Sequence, residues 1–206
     1  NVVVEGVGTG LRSVSGNSAA NRFEVGALGN DGSFAANFQG QGGDDVLHGG
    51  AGGDTLDGGT GDDLLRGGAG TDLLIGGSGV DAADYRAAAG AVTASLTTGA
   101  ATNDGDGGTD GFSGIENLLG SAFGDSLTGN GANNLLSGGA GNDTLDGLNG
   151  DDLLIGGAGV DVLHGGGGID TVDYSGAAAG MRAQLNTNAS SNDGDGGTDT
   201  FSGIEN

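Results

Sequence analysis

A nine-residue unit, Gly-Gly-x-Gly-x-Asp-x-Leu-x, recurs back to back in this chain and constrains its fold more than any other feature. Four consecutive copies follow it closely: Gly49 to Asp57, Gly58 to Arg66, Gly67 to Ile75 and Gly76 to Asp84, the last with Ala83 in the leucine slot. The imperfect copy Gly40 to His48 precedes them. Each copy sets a carboxylate at its sixth position and an apolar side chain at its eighth. Units this short cannot enclose a core alone, so the repeat specifies a solenoid in which each unit covers its neighbours. An α-helix is excluded, because nine residues make about 2.5 turns and would throw the apolar position onto alternate faces.

A second array opens with the degenerate copy Gly111 to Leu119, where Glu116 replaces the aspartate. Its sixth positions continue as Asp125, Asn134, Asp143, Asp152, Asp161 and Asp170, and its eighth as Leu118, Leu127, Leu136, Leu145, Leu154, Leu163 and Val172. The glycines supply positive φ or room for close chain approach, which folds the first six residues of a copy into a tight loop. The last three make a short strand whose middle residue faces the core. Two copies then complete one coil, loop–strand–loop–strand, and copies 18 residues apart stack on the same edge.

Stacking brings sixth-position aspartates to one strand spacing, roughly 4.8 Å. Carboxylates at that separation repel unless a cation lies between them, and calcium accepts six to eight oxygens in flexible geometry. The candidate metal ligands are therefore Asp45, Asp54, Asp63, Asp72, Asp81, Asp125, Asp143, Asp152, Asp161 and Asp170. They pair as Asp45/Asp63, Asp54/Asp72, Asp63/Asp81, Asp125/Asp143, Asp143/Asp161 and Asp152/Asp170. Sites that draw on Asn134 or Glu116 are expected to be weak or absent.

These residues and their register resemble the RTX, or hemolysin-type, calcium-binding repeat family over most of residues 40–206. The resemblance implies an all-β fold, a parallel β-roll, with several Ca2+ ions held between loops by the aspartates and glycine-loop carbonyls. It also implies a secreted bacterial-type protein, typically exported by type I secretion.

Composition agrees. Twenty-eight Asp and Glu against five basic residues leave a formal charge of −23, which repels nucleic acid and anionic membranes and attracts multivalent cations. Fifty-two glycines among 206 residues, with 4% aromatic, would by themselves argue for disorder, so an external source of order is expected. There is no Cys for disulfides or thiol chemistry. No apolar stretch is long enough to cross a bilayer, so no membrane insertion is expected. The start at Asn1, without Met, and the end within a repeat read as a piece of something longer.

The chain divides into a cap or degenerate repeats (1–39), a first array (40–84), an excursion (85–110), a second array (111–173), a second excursion (174–199) and the start of a further repeat (200–206). In the first zone Gly16 to Glu24 resembles Gly129 to Ser137, and Val2, Val3 and Val4 look like a short strand. The excursions repeat at 89 residues: Asn103 to Asn117 and Asn192 to Asn206 differ only at Gly111 and Thr200. Alternation of Val92, Ala94 and Leu96 in the first, and of Met181, Ala183 and Leu185 in the second, predicts a strand or hairpin in each. Each also carries an acidic cluster, Asn103, Asp104, Asp106 and Asp110 in one and Asn192, Asp193, Asp195 and Asp199 in the other. These lack the twelfth-position Glu of an EF-hand, so a polar turn and a different calcium site both stay open.

His48 and His164 sit 116 residues apart at outward ninth positions and read as surface decoration. Tyr85 and Tyr174 are expected to pack where each array gives way to its excursion. Val46, Leu64, Leu73, Ile75, Leu135, Leu153, Ile155 and Val162 form an apolar outward surface, to be covered by the excursions or by self-association into arrays or filaments. No nucleophile–base grouping, metal-protease His pair or phosphate loop with Lys is present, so the chain reads as no enzyme. The expected function is a calcium-binding structural module of a surface-layer, adhesin or filament protein that folds outside the cell. The alternative is the C-terminal folding and secretion module of a secreted protease, lipase or epimerase.

Overall fold

The computed structural model describes residues 2–4, 12–25, 35–177, 182–185, 189–192, 194 and 197–206. The chain forms two compact units, Asn1–Tyr85 with Gly99–Ile115, and Arg86–Thr98 with Glu116–Asn206. Among the described residues there are strands and no α-helix, and each unit is a parallel β-roll of two sheets.

In the first unit one sheet runs through Val2–Val4, Arg22–Val25, Val46–Ala51, Leu64–Ala69 and Ala82–Asp84, all parallel. The other runs through Arg12–Asn17, Ala36–Gly42, Thr55–Thr60, Leu73–Ser78 and Asp110–Ser113, also parallel, with Ala100–Asn103 antiparallel on the last. In the second unit one sheet holds Asn117–Leu119, Leu135–Ala140, Leu153–Ala158 and Thr171–Val172. The other holds Thr93–Ser95, Ser126–Asn130, Thr144–Asn149, Val162–Gly167 and Thr200–Ser202 in parallel. Ala189–Asn192 and Arg182–Gln184 then add to it antiparallel.

Within the nonapeptide arrays neighbouring strands are one 18-residue coil apart. Leu47 pairs with Leu65, Leu56 with Leu74, Leu136 with Leu154 and Leu145 with Leu163, so the eighth positions form buried rows. Phe38 and Phe23 extend the first unit's rows, their rings meeting edge-on at 5.7 Å. Phe112 and Phe201 take the same slot beside Leu74 and Leu163.

The strands are six residues long rather than three, because pairing continues from the seventh position through the third of the next copy. Gly50 pairs with Gly68 and Gly139 with Gly157 despite positive φ at all four. Only positions four to six lie outside the strands, which tightens the loop around the aspartate.

The described strands of the excursions join the sheets. Within the first, Val92 and Ala94 are buried and Thr93 is exposed. Strand Thr93–Ser95 belongs to the second unit, whereas the hairpin Ala100–Asn103 with Asp110–Ser113 belongs to the first. In the second excursion Met181, Asp193 and Asp195 lie outside the described residues. Most of the outward apolar side chains are half-buried within the sheet surface, and Leu73 is exposed. Ile155 lines a shallow cavity with Tyr174, Gly176 and Ala177 from the start of the second excursion.

Candidate metal centre: ladders of buried aspartates

The sixth-position aspartates turn inward at the roll edges. Asp45, Asp54, Asp63, Asp72, Asp81, Asp125, Asp143, Asp152, Asp161 and Asp170 are all buried. All six expected pairs are joined in the same way, by the backbone N–H of one aspartate donating to Oδ1 of the aspartate 18 residues later. The distances are 2.7 Å for Asp45 to Asp63 and Asp54 to Asp72, and 2.8 Å for Asp63 to Asp81 and Asp125 to Asp143. They are 2.9 Å for Asp143 to Asp161 and Asp152 to Asp170.

The second oxygen is the informative one. Oδ2 of Asp45, Asp54, Asp63, Asp72, Asp143, Asp152 and Asp170 is buried with no hydrogen-bond partner. A buried polar atom left unsatisfied costs about 1–3 kcal/mol, and more when charged, so native folds rarely tolerate a row of them. Burial pushes the carboxyls of Asp54 and Asp63 up to about 6 and those of Asp72 and Asp143 up to about 7. Neighbouring charges add to the rise, Asp110 acting on Asp54 and Asp72, and Asp161 on Asp143. Burial raises Asp45 and Asp152 in the same direction.

The first glycine of each copy makes room for this oxygen. A Cβ on Gly40, Gly49, Gly58, Gly67, Gly138 or Gly147 would collide with Oδ2 of the aspartate five residues on. At Gly40, Gly49 and Gly147 the same Cβ would also strike the carbonyl oxygen of Gly58, Gly67 and Gly165 in the stacked copy. A carboxylate oxygen without a donor and a loop carbonyl thus face one small space. Positive φ is confined to the second and fourth positions of the copies, where Gln41 and Leu148 are the non-glycine exceptions at 76° and 77°.

Carboxylate and carbonyl oxygens are the donor set of a hard cation such as calcium. Among the described residues no three His, Cys, Asp or Glu side chains come together, so each ion would draw on stacked aspartates and loop carbonyls. A cation between the loops would neutralise the repulsion and occupy the oxygens that lack donors.

The ladders end where a hydrogen bond replaces that need. Asn134 Nδ2 donates to the Glu116 carbonyl at 2.8 Å, and Asn21 Nδ2 to the Ala19 carbonyl at 2.6 Å. Asp125 is a ladder member with both oxygens engaged, by the Val92 N–H at 2.7 Å and by the Ser121 N–H and hydroxyl at 2.5 and 2.8 Å. Glu205 Oε2 accepts the Asp170 N–H at 2.8 Å.

Two rungs come from the excursions. Asp110 Oδ1 accepts the Asp72 N–H at 3.1 Å and Asp199 Oδ1 the Asp161 N–H at 2.9 Å, each across 38 residues. Their Oδ2 atoms accept the Tyr85 and Tyr174 hydroxyls at 2.8 and 2.7 Å. Sequence reasoning placed these aspartates in a separate cluster, although Asp110-x-Phe112 and Asp199-x-Phe201 echo the Asp-x-Leu of the repeat. A second, exposed ladder went unread: Asp44, Asp62, Asn142 and Asp151 at fifth positions each accept the N–H 18 residues on. His164 meets the Ser202 hydroxyl at 2.7 Å, and His48 is half-buried beside Arg66 in the sheet.

Comparison with curated proteins gave no match. The family model described as RTX calcium-binding nonapeptide repeat matches four times, over residues 31–65, 48–82, 110–145 and 137–172, together more than half of the chain. Proteins with these repeats bind calcium through the nonapeptides, and the buried, repeated aspartates fit that chemistry. The chain belongs to the RTX calcium-binding nonapeptide repeat family, as a calcium-binding structural β-roll module.

Proposed function

We propose that this module folds on calcium outside the cell and serves as a structural segment of a secreted or cell-surface protein of surface-layer, adhesin or filament type. The ions lie between stacked loops on Asp45, Asp54, Asp63, Asp72, Asp81, Asp143, Asp152, Asp161 and Asp170, while Asp125, with both oxygens already hydrogen-bonded, offers no free carboxylate oxygen. The row of buried Oδ2 atoms without donors carries this reading, because it is a folding cost that a cation held between the loops removes. Ligand binding that is restricted to the folded state adds to stability by mass action. Extracellular sites of this kind work at roughly 10⁻⁴ to 10⁻³ M calcium, far above cytosolic levels. Export as an unfolded chain, as in type I secretion, follows from that difference. The recurrence of Asn103 to Asn117 as Asn192 to Asn206, 89 residues on and changed at one position, supports a long array rather than a catalytic unit.

The test is a calcium titration followed by resistance to a broad-specificity protease. Protection with a midpoint between roughly 10⁻⁴ and 10⁻³ M supports the extracellular reading. Saturation below about 10⁻⁶ M would contradict it, since such sites would already fill inside a cell.

A further inference from the structure

Asp104 is a buried carboxylate outside the sixth-position ladders. Asp104 lies between strands Ala100–Asn103 and Asp110–Ser113, outside any nonapeptide, and is fully buried. Its Oδ1 accepts the N–H groups of Asp106 and Gly108, both at 2.8 Å, which closes the Asp-Gly-Asp-Gly-Gly run into a turn. Its Oδ2 has no hydrogen-bond partner.

That turn is stacked on the Asp72 loop, the last nonapeptide loop on its edge of the first array. A Cβ on Gly108 would meet both the Gly70 carbonyl oxygen and Asp104 Oδ2, so the two oxygens face one small space. Gly70 is the fourth residue of the Asp72 copy, and Asp72 Oδ2 is likewise buried without a donor. The Gly70 carbonyl accepts the Thr109 N–H at 3.2 Å, which uses one of its two lone pairs.

Within an array each loop meets a nonapeptide loop before it and another after it. The Asp72 loop has no nonapeptide after it on its edge. Asp110 takes over the Asp72 N–H, but its own Oδ2 is occupied by the Tyr85 hydroxyl and offers no free carboxylate oxygen. Asp104 supplies one.

We infer that the turn from Asn103 to Asp110 completes a divalent-cation site on the Asp72 loop, the last nonapeptide loop on its edge of the first array, with Asp104 as carboxylate ligand and Gly70 as carbonyl ligand. Calcium fits the oxygen donors and the flexible loop setting. The inference rests on the calcium reading of the nonapeptide loops and extends it to a turn without the motif.

Native mass spectrometry of the full chain at saturating calcium, comparing wild type with Asp104→Asn, tests it. Asn keeps an Oδ1 for both N–H donors and replaces the second oxygen with an amide NH2, which cannot ligate a cation. The expected result is one calcium ion fewer in the variant. An unchanged ion count in a folded variant overturns the inference while leaving the nonapeptide sites standing. A wild type that binds no calcium would sink the underlying reading instead. If Asp104→Asn does not fold, the calcium-loaded wild-type crystal structure decides. An ion at about 2.3–2.6 Å from Asp104 Oδ2 supports the site, and ions confined to the nonapeptide loops overturn it.

Discussion

Asn134 Nδ2 donates to the Glu116 carbonyl at 2.8 Å, at a rung where Asp152, the next one, has a carboxylate oxygen with no donor. Here a side-chain amide reaches the sixth-position carbonyl. Elsewhere the seventh-position N–H takes it, as Leu64 does with Asp45 and Leu153 with Asn134, both at 2.9 Å. Leu135 turns instead to Asn117 Oδ1 at 2.9 Å. Asn134→Asp would set a second acceptor against the Glu116 carbonyl. It should cost about 1–3 kcal/mol at limiting calcium, read as a raised calcium midpoint for folding.

The converse change does not mirror it. In Asp63→Asn the new amide finds the Asp45 carbonyl already bonded to Leu64, so it gains no equivalent partner. Because Asp63 is linked to both Asp45 and Asp81, the variant should bind less calcium and need several-fold more of it to fold. Isothermal titration calorimetry measures both quantities.

Glycines separate by position. Gly58→Ala drives a methyl into Asp63 Oδ2 and should destabilise the calcium-loaded protein by several kcal/mol, on the order of other severe core or backbone changes. At Gly131 a Cβ meets nothing within 4 Å, so Gly131→Ala should fall within about 0.5–1 kcal/mol of wild type, on the stabilising side. Urea unfolding at fixed calcium distinguishes them.

Protons and calcium compete for the same oxygens. The carboxyls of Asp54 and Asp63 are raised to about 6, and those of Asp72 and Asp143 to about 7, from an ordinary 3.8, chiefly by burial. A group with a raised folded-state pKa binds more protons folded than unfolded, so its stabilising effect is full below the unfolded value and is lost as pH rises through the folded one. In chelator the β signal should therefore weaken between about pH 4 and 7. At fixed calcium below saturation, ion binding should strengthen over the same range. Circular dichroism and calcium uptake from pH 4.5 to 8 check the two slopes.

The solenoid, the inward leucine rows and the stacked aspartate pairs were legible because each follows from one register repeated without a break. Less legible were the places where register is interrupted. Asp110 and Asp199 rejoin the ladders after 38 residues, which a nine-residue count passes over. Asp125 looks like its neighbours in sequence, yet Ser121, standing where most copies have glycine, supplies the donors that the others lack. Strand length was underestimated because glycine pairs at positive φ keep a parallel ladder that propensity alone argues against.

The most direct measurement is far-UV circular dichroism of the whole chain after exhaustive chelation, titrated with calcium and, separately, with magnesium. A cooperative gain of β signal with calcium and not with magnesium is the predicted result, since magnesium demands a stricter six-oxygen geometry and dehydrates reluctantly. Full β structure at neutral pH in chelator, unchanged by calcium, would contradict it, because the buried Oδ2 row would then be stable with neither cation nor proton.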